Sequence, residues 1–362
     1  MGEIRYELRA EGSEDGLIDE LAAVHPRIGL DGLLARRGTR AWPGRVPAEA
    51  AVEGFRWGLL DGWTPRWWPQ GVEVLSERDD SILVVSWFAQ ERGGTSQGSR
   101  ITIIDRRDAR RPRYHHVLLV EPVRSPHGTV TMTAVHVHAG GLARVGYRLY
   151  AAATFGGLRA FDLRDIMRVS GRAPFGYRCV LPQSGRERLH GGQSEDRMRF
   201  SFVSVERNVE RGGSVDGHLV VGEFGPHGSG RRLGRVPVDA LINSPEPTPV
   251  VELREPGIAR MQGAAVIDGT WFVSASDGVK PGDLWVGAGS DWTRHRGVLP
   301  AGPEDLAATP DGHRLWSLCE YPRRRWVYAM DADRWRVEPG PAQGSRPAPT
   351  PGPDPDSGSG SD

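Results

Sequence analysis

Cysteine is almost missing from this chain: Cys179 and Cys319 are the only two in 362 residues, and they lie far apart. Two thiols make no disulfide framework, which excludes the small disulfide-stapled scaffolds. Long apolar runs are missing as well, and no stretch approaches the ~18 apolar residues of a membrane helix. The opening "MGEIRYELRAEGSEDGLIDE" has no apolar core of the kind a signal peptide needs. Nor is there an excess of charge of either sign. Forty-six basic residues balance 46 acidic ones, so the chain as a whole has no electrostatic pull towards nucleic acid or anionic membrane. The local basic runs "RRDARRPRYHH" and "YPRRRW" read as solvated turns or outer strands. These absences lead to the expectation of a soluble, cytoplasmic protein with reduced thiols and neither nucleic acid nor membrane as partner.

Several catalytic signatures are also missing. There is no HExxH, CxxC or acidic calcium loop, no GxSxG elbow and no P-loop. The glycines of "TFGGLRAF" fall in a hairpin and precede no helix, so they form no dinucleotide fingerprint. His115 and His116 are neighbours on a strand and point apart, so they cannot both bind one ion. No cofactor is expected, and a single divalent metal is the less favoured alternative.

What the chain does have is turns and aromatics: 48 Gly, 28 Pro and 12 Trp, with few long helical runs, which points to an all-β protein. Residues 1–65 stand apart as a helical extension. "SEDGLIDELAAVH" sets Leu17, Ile18, Leu21 and Val24 at helical spacing after an N-cap at Ser13. "IGLDGLLARR" reads as a second short helix. "VPAEAAVEGFRWGLL" reads as a third, with Pro47 near its start and Ala51, Phe55 and Leu59 four apart. Residues 341–362 are rich in Pro, Gly and Ser without a large apolar side chain, and are expected to be disordered.

Between these ends, over 66–340, a four-part unit recurs five times. Its second strand is clearest: "SILVVSWF", "RLYAAATF", "GHLVVGEF", "TWFVSASD" and "HRLWSLCE". Third strands follow, then fourth strands such as "YHHVLLVEP", "GYRCVLPQ" and "RWRVEPG". A short first strand comes ahead, as in "WPQGVEVL", "VHAGGLARV", "MQGAAVI" and "PEDLAAT"; in the third unit "RFSFVSV" takes this place without the glycine. The reading is a β-propeller of five four-stranded blades, with a further contribution from the N-terminal segment left open. A sandwich would show the alternation but not this order five times. In a propeller the first strands crowd a central channel, which accounts for glycine in "QG" and "HAGG".

Equivalent blade positions fall on one ring, so a polar set gathers at one channel mouth. First strands supply Gln70, His138, Gln262, Glu304 and Asp305; the ends of second strands and the residues after them supply Trp87, Thr154, Glu223, Glu320 and Tyr321. Carboxylates, an imidazole, amides and aromatics in one concavity suit a small-molecule site. Glu304 and Asp305 are adjacent and face opposite ways, so one enters the channel and the other caps or bridges blades.

"WPQGV", "HVLLVEPV", "VHAGGLA", "GYRCVLPQ", "MQGAAVIDGTWFVS" and "GPEDLAATPDGHRLWSLCEYPRRRWVYAMD" together resemble a group of actinobacterial secreted or hypothetical propeller-type proteins of unassigned activity. The resemblance spans about residues 65 to 335 and implies the propeller fold; it brings no catalytic residue with it. Those relatives are exported, whereas this start lacks a signal sequence, so recruitment to secondary metabolism is expected.

The favoured function is an enzyme acting on a small organic molecule, such as a cyclase, lyase or isomerase. Its catalytic residues would be His138 with Asp305 or Glu320, and Glu223 as a second acid. Gln70, Trp87, Thr154, Gln262, Glu304 and Tyr321 would hold the substrate, with Trp87 as a wall. The alternatives are a carboxylate glycoside hydrolase, with tryptophan stacking on sugar, and a non-catalytic propeller binding a glycan or a protein.

Overall fold

The computed structural model describes residues 6–170, 174–192, 197–209, 217–225 and 231–336. The chain is mostly β, and among these residues the strands pair as successive four-stranded antiparallel meanders. Meander I runs Trp67–Val74, Ile82–Ala89, Ser99–Asp105 and Arg113–Arg124. Meander II runs Leu142–Val145, Arg148–Ala152, Leu158–Asp162 and Cys179–Gly191. The fourth strands of I and II also pair in parallel, Val180 to Pro182 against Leu118 to Val120, which joins the two into one larger sheet. Meander III runs Phe202–Val205, His218–Gly222, Leu233–Pro237 and Val251–Arg254, and IV runs Met261–Ile267, Thr270–Asp277, Lys280–Ala288 and Asp291–Ala301.

Meander V differs from expectation. Pro303–Ala308, Arg314–Cys319 and Trp326–Asp331 supply three strands, and the fourth comes from the N-terminal segment, Ala51–Arg56, with Tyr328 opposite Gly54. The segment expected to form a third helix is therefore an outer strand. Its Phe55 buries against Trp57 and Trp316, and its backbone covers an edge that would otherwise expose unpaired N–H and C=O groups. Of the segment "RWRVEPG", expected to be the fourth strand here, Arg334 and Trp335 lie in a short helix, Ala332–Trp335, and residues 337–340 lie outside the described residues. The disordered tail expected at 341–362 lies outside the described residues.

Helices α1 (Asp15–Val24) and α2 (Gly29–Leu34) occur where the apolar spacing placed them, burying Ile18 and Leu21, and Leu33. The cap differs from expectation: the N-cap position is Glu14, with no side-chain cap, and Ser13 ends the preceding strand with its Oγ donating to Asp15 Oδ2 at 2.6 Å. Ahead of α1, a strand not foreseen from the sequence, Tyr6–Ser13, lies along the outer strand of meander II. Helix α3 (Leu59–Trp63) leads into meander I. Among the described residues no helix is long and apolar enough to cross a membrane. Both cysteines are buried and free.

The five first strands pack side by side in a closed circuit, I to II to III to IV to V and back to I. The glycines of this circuit are set by close approach. A β-carbon on Gly71 would lie 2.9 Å from the Gly141 backbone, one on Gly141 2.3 Å from Val203 N, and one on Gly263 2.5 Å from Asp305 Cα. The axis of the circuit is filled. Asp305 Oδ2 accepts the backbone N–H groups of Val72 and Leu142, tying strand V to strands I and II. Below it, Arg207 Nη2 donates to Glu73 Oε1 at 3.2 Å, with both side chains at most 2% exposed.

Candidate functional site

Above this floor, the starts of the first strands and the ends of the second strands surround a cavity of about 310 Å³. Its lining is Gln70, His138, Gly140, Thr154, Arg199, Ser201, Phe224, Gln262, Glu304 and Glu320. Six residues of the polar set read from the sequence thus meet in one concavity: Gln70, His138, Thr154, Gln262, Glu304 and Glu320.

His138 owes its position to its neighbours. Ser86 on the second strand of meander I donates to the Ala139 carbonyl at 2.6 Å, pinning the segment just before strand II. The backbone turns there through Ala139 at φ 53. The imidazole stacks on Phe88 with ring centroids 4.3 Å apart, while its other side is open to solvent. Partial desolvation lowers its pKa, which favours the neutral ring. Thr154 also sits at positive φ, 50°, a region that β-branched residues rarely adopt. It is held there by hydrogen bonds in both directions to Phe200, 2.9 and 2.8 Å.

The two glutamates form the acidic side. Glu304 is almost wholly buried, and Gln262 Nε2 reaches its Oε1 at 3.4 Å. Burial raises its pKa well above the ordinary carboxylate range, and the nearby charges of Glu320 and Asp305 push it the same way. Glu320 is half-buried, its Oε2 3.4 Å from Gln70 Nε2, and burial raises its pKa against opposing hydrogen bonds from Gln70 and Tyr321. Arg325 fixes the Glu320 backbone, donating from Nε to its carbonyl at 2.7 Å. Both carboxyls are therefore harder to ionise than an exposed glutamate.

Four residues of the expected site lie elsewhere. Asp305 does not face the cavity: it is the bridging partner of the adjacent pair, fully buried and occupied by two backbone amides. Glu223 is fully buried and held by Arg232 Nε at 2.7 Å and by the Arg199 and Arg232 backbone N–H groups, so it is no second acid. Trp87 is no wall; it lies in the core against Trp57, with Arg100 stacked over its ring at 4.8 Å. Tyr321 stands behind Glu320, edge-on to Trp68. In place of Trp87, Phe224 is the phenyl ring that lines the cavity. The basic runs are not wholly solvated either: Arg106 is buried over Trp316, and Arg325 is buried beneath Glu320.

The sequence reading missed Arg199 and Ser201. Arg199 forms no ion pair among the described residues, and it lines the cavity. Both residues lie just ahead of strand III, in the column that supplies Gln70, His138, Gln262 and Glu304 from the other meanders. Extending that column through the unit that lacks the glycine would have found them. Among the described residues, no group of three or more His, Cys, Asp or Glu could hold one metal ion.

No family model matches the chain, and no curated protein matches it. Among solved structures it is similar to a gluconolactonase from Xanthomonas campestris, at 13% identity over 82% of this chain and 89% of that one, with a TM-score of 0.39. It is similar also to the glutaminyl cyclase of Myxococcus xanthus, at 12% identity over 82% of this chain and 96% of that one, with a TM-score of 0.37. At such scores the chemistry has to be argued from the cavity itself.

Proposed function

We propose that the chain is a five-bladed propeller enzyme that moves protons on a small anionic organic molecule held in the first-strand cavity. One observation carries this reading: His138, Glu304 and Glu320 line the same 310 Å³ space, and burial lowers the pKa of the imidazole while raising those of the carboxyls. Such a divergence assigns acid and base roles. His138 is the base and the Glu304–Glu320 pair the acid. Gln70 and Gln262 orient the two carboxyls, and Arg199 binds the anionic group of the substrate. Proton removal at one atom and delivery at another gives an elimination, an isomerisation or a cyclisation, and needs no cofactor. The strained Thr154 backbone supports the reading, because such conformations concentrate at functional sites.

The glycan readings lose support at this cavity, because no tryptophan lines it. A non-catalytic propeller is separated from the enzyme by experiment. Ligand-observed NMR against a panel of small hydroxy, keto and amino acids would find binders, and product formation would be followed in the same tubes. Glu304→Gln and His138→Ala should keep binding within a few-fold while turnover falls about 10²-fold or more. Ligands released unchanged by the native protein, or turnover surviving both substitutions, would refute the proposal. Activity should fall at low pH as His138 takes a proton, and at high pH as the carboxyl pair loses its own.

A further inference from the structure

A second concavity, of about 410 Å³, opens on the outer side of meanders I and II, beneath the exit of helix α2. Arg36, Arg37 and Gly38 form one wall, His115 and His116 the back, and Phe175 to Cys179 the other wall. Its charge is of one sign. Arg36, Arg37 and Arg178 meet no carboxylate within ion-pair distance among the described residues. Two carboxylates bonded to or charge-coupled with its histidines are already engaged. Asp61 accepts from His116 Nε2 at 3.0 Å, Arg100 Nη2 at 2.9 Å and Tyr114 Oη at 2.7 Å. Asp105 is gripped by Arg107 through two hydrogen bonds, 3.0 and 2.6 Å.

The walls are firmly set. Arg113 donates to the Gly38 carbonyl at 2.9 Å, and a β-carbon on Gly38 would lie 2.8 Å from His115 Nε2. Arg100, only 4% exposed, spans the back from Asp61 to the Tyr177 hydroxyl. Three arginines that form no ion pair among the described residues line this concavity, and such a lining calls for a ligand with more than one negative charge. A monocarboxylate would leave most of that charge uncompensated, whereas a phosphate presents several oxygens to forked donors. The exposed Phe175 ring and the Tyr177 ring give an organic portion somewhere to lie.

We infer that this concavity binds a small phosphorylated organic molecule, with Arg36, Arg37 and Arg178 on its phosphate oxygens. The site is separate from the first-strand cavity and does not depend on what happens there.

Inorganic pyrophosphate is the probe. Titration calorimetry on the full chain at low salt should give saturable one-to-one binding that acetate does not displace. The double variant Arg36→Gln/Arg178→Gln should bind at least about tenfold more weakly, since each charge-assisted contact is worth more than that factor. A control of equal charge change, Arg78→Gln/Arg296→Gln, lies on exposed surface outside the concavity and should bind as the native chain does. The arginines replaced in both variants form no ion pair among the described residues, so the fold should survive, as checked by thermal melting. Absence of saturable binding to the native chain, or equal weakening in both double variants, would overturn the inference.

Discussion

Gly141 lies so close to Val203 that a β-carbon on it would stand 2.3 Å from the Val203 nitrogen and 2.7 Å from its oxygen. Both obstacles are backbone, so no side-chain rotation can relieve them. Gly141→Ala should therefore cost about 3 kcal/mol or more. Gly16, inside helix α1 with nothing within 4 Å of where a β-carbon would stand, is the contrast: Gly16→Ala should be neutral or add up to about 1 kcal/mol. Urea unfolding of the two variants checks the crowding at the circuit of first strands; equal effects would dismiss it.

The buried Glu73–Arg207 pair makes a second prediction. Arg207→Met leaves a buried carboxyl without its cation and should destabilise by about 3–5 kcal/mol. Adding Glu73→Leu should restore most of that loss, because two apolar side chains then fill the axis. Losses that simply add in the double variant would show that the pair is not coupled.

Glu187, 8% exposed on the outer strand of meander II, has its pKa raised to about 7 by burial, with Arg148 opposing. The folded chain then holds a proton that the unfolded chain releases near pH 4.3. Stability should be full below that pH and fall as the pH rises towards 7, by roughly 3 kcal/mol if the whole shift is realised. Between pH 5 and pH 8 the Glu187→Gln variant should lose less stability than the native chain, the difference being the contribution of Glu187. Equal loss in the two chains over that interval would contradict the assignment.

Much of this architecture was legible because each unit repeats the same order of short apolar strands and turn glycines. Gln70, Gln262, His138 and Glu304 could be aligned for that reason, and the cavity gathers them. What could not be read was phase. "SILVVSWF" is buried on both faces, so alternation cannot say whether Trp87 faces a channel or the core. The same ambiguity put Asp305 in the chemistry and left Glu304 to binding, whereas the backbone amides of Val72 and Leu142 claim Asp305. The strand at Ala51–Arg56 reads as a helix because Ala51, Phe55 and Leu59 fall at helical spacing. Its pairing with Trp326–Asp331 spans most of the chain, and no local signal carries it.

The account turns on where two protons sit in the first-strand cavity. Carbon-13 NMR of protein labelled at the glutamate carboxyl carbons, with Glu304→Gln for assignment, reads one of them, and the proton resonances of the His138 ring read the other. At pH 7 the Glu304 carboxyl should show the shift of a neutral acid and titrate well above the ordinary carboxylate range, while the His138 ring titrates below its ordinary value. An ionised Glu304 at pH 7, titrating near that of an exposed glutamate, would contradict the acid–base reading.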